Sequence, residues 1–340
     1  MRLDTPLAGL LGVRYPIVQA PMANVQPASL AAAVSKAGGL GTIAGATLSP
    51  DALREAIRET RVATSAPFAV NLFAPLPRAD APAERLAGLQ ALLAPHRARV
   101  GLGDAPEPRL PPWSVDDQLA VVLDERPAVF SSTFGAIDPA PLREAGIVVV
   151  GTATTVAEAQ ALEASGVDAI VVQGAEAGGH RGTFLGSFEE SLVPLAELVP
   201  AAVAALSVPV LAAGGIVDGA GIAAALDAGA QGVQLGTAFL FSRECATPRA
   251  WLRALREHET IVTPAYSGRH ARAARTPFLA ELVAAGEPLP FPLQRVAIAD
   301  LAGVDGYGFY LGGTGAPRAR ELPVDELVQT LVAETEAAPL

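Results

Sequence analysis

The sequence predicts a (β/α)8 TIM barrel carrying a mainly helical insertion after the eighth strand. Eight short apolar runs alternate with Ala-rich stretches of helical composition. The runs are continuously rather than alternately apolar, which implies burial on both faces, as parallel strands wrapped by helices require. At 340 residues the chain also exceeds the ~250 typical of such a barrel, so the excess is inserted.

The runs follow in order. "YPIVQAPM" precedes a helix expected over Pro27 to Ala37, "LGTIAG" one over Pro50 to Val62, and "PFAVNLF" one over Glu84 to Ala94. "PAVFSS", "GIVVVG", "DAIVVQG", "VPVLAAGG" and "QGVQLG" complete the eight strands. A doubly wound open sheet is disfavoured, because the first strand ends in "QAPMANVQP" with no Gly-x-Gly-x-x-Gly turn. Leu198 to Val217 contains no charge and is long enough to cross a bilayer. Pro209 and Gly214-Gly215 divide it into a helix end, a strand and a turn, so it reads as buried core and no membrane contact is expected.

The barrel is expected over residues 1–241 and 301–340, with a closing helix at Val324 to Glu334. Residues 242–300 break the rhythm and concentrate arginine (Arg243, Arg249, Arg253, Arg256, Arg269, Arg272, Arg275), which predicts a mainly helical subdomain on the substrate side with a solvated charged surface. "GDAPEPRLPPW" at Gly103 to Trp113 reads as a loop that could serve as a partial lid.

Composition excludes several functions. A net charge of −11 argues against nucleic acid, which needs a basic face. Cys245 is the only cysteine, so no intrachain disulfide is expected; it reads as an apolar filler in a cytoplasmic protein. The N-terminal stretch, broken by Asp4 and Arg14, predicts no secretory signal.

In such barrels the active site lies at the carboxyl ends of the strands. The residues there are Gln19 to Ala23, Gly45, Asn71, Ser131 to Gly135, Gln173 to Gly182, Gly214-Gly215 and Gly236-Thr237. Carboxylates are almost absent and there is no lysine; Lys36, the only lysine, reads as mid-helix, so a Schiff base has no nucleophile. Of His96, His180, His258 and His270 only His180 closes a strand, and no helical i, i+4 pair exists, so no metal site is expected. Such a site borrows its reactivity from a cofactor. Glycines after strands seven and eight suit a phosphate. The amides of Asn71 and Gln173 suit the edge of a flavin ring, with main chain and a soft side chain from Pro21, Met22 and Ala23 beneath it. FMN fits this set better than a bare sugar phosphate. His180, set among glycines in "QGAEAGGHRGTF", is the candidate catalytic residue.

At these residues the sequence closely resembles the nitronate monooxygenase family, formerly 2-nitropropane dioxygenases. The matching segments are "PIVQAPMA", "GGLGTIAG", "FAVNLF", "VVQGAEAGGHRGTF", "PVLAAGGIVDG" and "GAQGVQLGTAFL", with "YSGRHARAARTPF" resembling the family's Ser-Gly-Arg segment. The resemblance implies an FMN-dependent barrel that oxidatively denitrifies alkyl nitronates with O2 to a carbonyl compound and nitrite. Strand-end reasoning and the resemblance together put FMN on Pro21, Met22, Ala23, Asn71, Gln173, Gly178, Gly179, Gly214, Gly215, Gln234, Leu235, Gly236 and Thr237. His180 matches the family's histidine base or substrate-positioning residue, and Glu176 reads as loop-fixing. The expected partners are a compact nitronate or nitroalkane, alkyl or carboxyalkyl, and O2; a homodimer is compatible. Some members carry histidine where this chain has Thr133, and "FYLGGTGA" departs from the family's closing segment. The sequence assigns no role to Thr133, Arg181, Ser267, Tyr307 or Tyr310. The alternatives are a flavin-dependent NAD(P)H reductase of enoyl thioesters or quinones on the same barrel, and a non-catalytic flavin-binding protein.

Overall fold

A computed structural model describes residues 2–77 and 79–339; the outermost bounds of the expected barrel, Met1 and Leu340, lie outside the described residues. All eight expected strands form: β1 (Ile17–Gln19), β2 (Gly41–Ala44), β3 (Phe68–Phe73), β4 (Val129–Thr133), β5 (Val148–Ala153) and β6 (Ala169–Gln173), then β8 (Val210–Ala213) and β9 (Gly232–Leu235). Between β6 and β8 a two-residue strand, β7 (Gly179–His180), leaves the barrel. The parallel ladder runs β1-β9-β8-β6-β5-β4-β3-β2. It closes where Gln19 N–H donates to Leu40 O at 2.9 Å and Leu40 N–H donates to Ile17 O at 2.9 Å. The buried Gln19 side chain completes this seam, accepting from Thr42 N–H at 3.0 Å.

Helices pack outside each strand and end where their chemistry directs. Helix Pro50–Ala63 starts at Ser49, whose hydroxyl accepts from Ala52 N–H, with proline at the first turn. Helix Ala28–Lys36 ends at Lys36, not beyond it, because Gly38 at φ +95° turns the chain; the lysine is therefore terminal and exposed rather than mid-helix. Helix Ala83–Arg99 runs through Pro95, where a stop at Ala94 is the expectation. Its last turn is held by buried Arg97, which donates to Asp300 Oδ2 at 2.7 Å and to Gln90 Oε1 at 2.6 Å. The closing helix, Val324–Ala337, lies against helices Gly219–Asp227 and Ala28–Lys36. Residues 198–217 divide into the end of helix Leu195–Ala205, strand β8 and the Gly214-Gly215 turn. No helix among the described residues is long and apolar enough to cross a membrane.

After β9 the chain forms helices Arg249–Glu257, Pro277–Ala284 and Leu293–Ala297, together with strands β10 (Thr260–Thr263) and β11 (Ala271–Ala274). These strands join β7 in an antiparallel sheet ordered β10-β11-β7, with Ala271 opposite His180 and Arg272 opposite Gly179. Arg269 and Arg272, expected on a solvated surface, turn inward instead, because β11 faces the barrel mouth.

Helix-to-strand contact is closest at Gly41, where a Cβ would sit 1.9 Å from Ala31 O. We expect Gly41→Ala to destabilise the fold by about 3 kcal/mol or more, since backbone must move on both sides. Gly88, inside helix Ala83–Arg99, has nothing within 4 Å of its would-be Cβ. Gly88→Ala is expected to stabilise by about 0.5–1 kcal/mol through helix propensity alone. Denaturant unfolding of the two variants measures both effects; equal shifts would show that close packing at Gly41 does not limit stability.

Candidate active site

The carboxyl ends of β6, β8 and β9 meet the "QGAEAGGHRGTF" segment above the barrel. Gln173 closes β6 and spends its amide on that segment: Nε2 donates to His180 O at 3.0 Å and Oε1 accepts from Gly182 N–H at 2.9 Å. Glu176 accepts from Leu195 N–H at 3.0 Å, the loop-fixing role read from the sequence. Arg181 is 1% exposed and donates to Gly174 O at 2.6 Å, Gln173 O at 2.9 Å and Ser191 O at 2.7 Å, which turns both terminal nitrogens into the loop and leaves Nε buried without a partner. Glu158, fully buried, accepts from the backbone N–H groups of Thr154, Phe184 and Leu185 and from the Thr154 hydroxyl. It fixes the far end of the loop; nothing in its helical setting marks that role in the sequence.

Two glycine turns lie beside this loop. Gly214 (φ +133°) and Gly215 (φ +70°) follow β8 in a region closed to most side chains. A Cβ on Gly215 would meet Glu176 Cβ at 3.1 Å and Thr314 Oγ1 at 3.2 Å. Gly236 follows β9 and opens the short helix Thr237–Leu240, which no side chain caps. Among the described residues the N–H groups of Gly215 and Gly236 find no acceptor. Orphan donors at two neighbouring turns suit an oxyanion such as a phosphate. Residues 312–314, unassigned in the sequence, close the cradle: Gly313 N–H donates to Thr237 Oγ1 at 2.9 Å, and a Cβ on Gly178 would strike Gly312 C at 2.4 Å. Gln234 and Leu235 lead into this turn from β9. Pro21, Met22 and Ala23 form the half-buried loop after β1, where Met22 N–H donates to Gln26 Oε1 at 3.0 Å. Asn71 lies buried on β3 and donates through Nδ2 to Ser131 Oγ at 2.9 Å and Thr133 Oγ1 at 3.3 Å, which gives Thr133 a part in orienting that amide. The orphan N–H groups of the glycine turns and the uncapped helix are donors that a phosphate-bearing cofactor can use, whereas the Gln173 amide is already spent within the loop.

His180 stands at the other side of the mouth, inside an aromatic slot. Its ring centroid is 5.4 Å from Phe291, 5.8 Å from Phe309 and 6.2 Å from Phe134, all edge-on. Phe134 holds φ +73°, a strained conformation for a bulky residue and one that clusters at functional sites. Ser267 is fully buried, with Oγ 2.9 Å from His180 Nε2 and 2.9 Å from Arg269 O. The hydroxyl donates to that carbonyl, so it accepts from Nε2–H. The neutral imidazole therefore carries its proton on Nε2 and presents the Nδ1 lone pair. Gly268 at φ +86° lets this turn pass under Leu289 to Phe291, where a Cβ would come within 2.3 Å of Leu289 O.

Burial, reinforced by the charges of Arg295 and Arg269, pushes the His180 imidazole down to about 3. The histidine is neutral throughout the physiological range. Tyr307 and Tyr310 lie elsewhere: the Tyr307 hydroxyl is 3.3 Å from His96 Nδ1 in a buried cluster, and the Tyr310 hydroxyl accepts from Gly306 N–H at 2.9 Å. The aromatic wall comes instead from Phe134, at the strand end expected over Ser131 to Gly135, from Phe309, which opens "FYLGGTGA", and from Phe291, which no motif marks.

A family model described as nitronate monooxygenase matches residues 4–334. The chain is 42% identical to a nitronate monooxygenase of Paraburkholderia phytofirmans, covering 96% of this chain and 94% of that protein. It is also 42% identical to one of Pseudomonas aeruginosa, covering 96% and 97%. Among solved structures, nitroalkane oxidase from Streptomyces ansochromogenes superposes with a TM-score of 0.88 at 38% identity, covering 97% of both chains. FabK from Thermotoga maritima superposes with 0.76 at 30% identity, covering 98% of this chain and 96% of that one. The barrel, the glycine cradle and the enclosed histidine thus stand within a likeness that runs the length of the chain, and the protein belongs to the nitronate monooxygenase family of oxidoreductases.

Proposed function

We propose that the protein is an FMN-dependent nitronate monooxygenase, converting an alkyl nitronate and O2 into a carbonyl compound and nitrite. The observation that carries this reading is electrostatic. Both charged groups bearing on His180 are cations, Arg295 and Arg269; the Glu158 carboxylate acts on Arg269, but its oxygens are taken by backbone N–H groups and it does not bear on the imidazole. A slot of this kind favours a substrate that arrives already anionic.

FMN, held by Gly214, Gly215, Gly236 and Thr237, supplies the electron-transfer and oxygen chemistry. The chain's own residues bind and orient. Phe134, Phe291 and Phe309 exclude water around the imidazole, which strengthens the attraction between the arginines and a bound anion. Ser267 holds His180 in one tautomer, and Nδ1 is the atom that faces a proton of the substrate. A nitronate has already lost its α-proton. A neutral nitroalkane has not, and a histidine held so far below its ordinary range is a weak base for removing it.

The first test runs two assays on the purified, FMN-loaded protein. Nitrite release with O2 consumption from propionate 3-nitronate, without anaerobic flavin bleaching by NADH or NADPH, is the expected outcome. Bleaching without nitrite would replace the proposal with an NAD(P)H reductase, and neither response would favour a flavin-binding protein without catalysis.

His180 and Ser267 generate a second test. With preformed nitronate, kcat/KM should show no histidine ionisation from about pH 5 to about pH 8, because the imidazole stays neutral there. Ser267→Ala frees the ring and removes the acceptor of Nε2–H. We expect a ~10–100-fold lower kcat for nitronate and a larger loss for nitroalkane, where the tautomer decides whether Nδ1 can accept a proton. A bell-shaped profile centred near the ordinary histidine value, or equal losses on both substrates, would remove this role.

A further inference from the structure

We propose that Gln26 is a positioning residue for the flavin: its side-chain amide takes up the N–H of Met22, presets the main chain of the loop after β1, and leaves Ala23 N–H as the neighbouring donor for the ring. This rests on the FMN reading above and adds to it the residue that holds that loop in shape.

Two side-chain amides and two backbone groups form one chain of hydrogen bonds. Thr42 N–H donates to Gln19 Oε1 at 3.0 Å, Gln26 Nε2 donates to the same oxygen at 3.2 Å, and Met22 N–H donates to Gln26 Oε1 at 3.0 Å. The direction of the chain is fixed. A backbone N–H can only donate, so Gln19 must turn its oxygen to Thr42; Gln26 must then turn its nitrogen to Gln19 and its oxygen to Met22. Gln19 is fully buried, and its own Nε2 donates to Ala20 O. The two glutamines thus tie the loop to β2 at the closing seam of the barrel.

Packing supports this loop incompletely. A cavity of about 310 Å³ lies beside it, lined by Met22, Val25, Pro27, Ile43, Ala44 and Leu48. Asn24 holds φ +69°, a left-handed conformation uncommon outside glycine. A turn through such a residue, with a void at its side, depends on its hydrogen bonds. Val25 O accepts from Ala246 N–H at 2.9 Å and from the Cys245 thiol at 3.1 Å, which pins the middle of the turn. Gln26 pins its start, and Pro27 confines the Gln26 backbone to extended conformations, which limits where that amide can point.

Ala23 N–H, the next donor along the half-buried loop, finds no acceptor among the described residues. Gln26 therefore divides two neighbouring donors, one spent inside the chain and one open to a ligand. Without the glutamine, Met22 N–H would compete for the same acceptor. The donor offered to the ring would no longer be fixed, and hydrogen bonds to a flavin ring set its electron affinity as well as its binding.

The test uses the full chain labelled with 15N-methionine. Met1 and Met22 are the only methionines, and Met22→Leu identifies the Met22 amide signal. In protein stripped of FMN we expect this amide to exchange with solvent at least ~10-fold more slowly than in Gln26→Leu, and FMN to shift its resonance while leaving the protection in place. FMN affinity, from fluorescence titration of the stripped protein, should fall ~10-fold in Gln26→Leu and less than ~3-fold in Gln26→Glu, which keeps the acceptor for Met22 but not the donor to Gln19. The flavin midpoint potential should shift in Gln26→Leu, a readout that a loosened fold with the same FMN bound does not move. Rapid Met22 exchange in the wild type, equal protection in Gln26→Leu, or an unshifted potential would overturn the proposal. FMN that fails to bind, or binds without moving the Met22 signal, would overturn it through the cofactor reading beneath it, an outcome told apart by a Met22 amide that stays protected.

Discussion

The active site depends on the pairing of Gly179–His180 with Ala271–Arg272. Leaving β6, the chain has no barrel neighbour for its next residues, and a glycine-rich loop at that height would otherwise be mobile. Strand β11 makes His180 a sheet residue, and the contact continues as Arg181 N–H donates to His270 O at 2.9 Å. Ser267, which fixes the imidazole tautomer, comes four residues before Ala271 on the same segment. A one-residue slip in this ladder would turn His180 to the opposite face and separate it from Ser267 together. Gln173 ties His180 and Gly182 back to the barrel, so the histidine is held by barrel and β11 segment through one short set of hydrogen bonds.

Around that ladder the chain gathers guanidinium groups and does not neutralise them with direct carboxylate contacts. Arg181 and Arg272 give their hydrogens to carbonyls, Arg272 to Ala175 O at 2.6 Å, so each trades charge pairing for dipoles. Glu158 and Glu176 offset part of this charge from a distance, while their oxygens are occupied by backbone N–H groups. Arginines thus gather beside the mouth although the whole chain is acidic at −11. Net charge speaks to solubility, whereas the arrangement of a few desolvated arginines speaks to what binds.

How much of this the sequence revealed differs between the two halves of the site. The strands were legible because double-sided burial writes continuous apolar runs, and the Gly214-Gly215 turn because positive φ demands glycine. His180 stood out by the glycines around it. The aromatic slot was legible only in part: Phe134 falls in the Ser131 to Gly135 strand end and Phe309 opens "FYLGGTGA", but that these rings meet Phe291 around His180 shows only in the folded chain. Arg269 and Arg272 read as surface charge for the same reason, since sequence carries no sign of which face of a short strand or turn closes on a pocket. Tyr307, to which the sequence assigns no role, has its hydroxyl committed to the His96 cluster.

The division has a physical consequence. The cradle is built from backbone at β8, β9 and residues 312–314, where a side chain on Gly178 or Gly215 has no room, so its shape tolerates little change. The slot is built from side chains on segments 266–269, 291–295 and 309, held by caps and stacking rather than by the barrel ladder. No hydrogen bond joins Phe291 to the cradle. The backbone cradle and the side-chain slot are therefore built independently, and the β7–β11 ladder, with His180 on it, joins them.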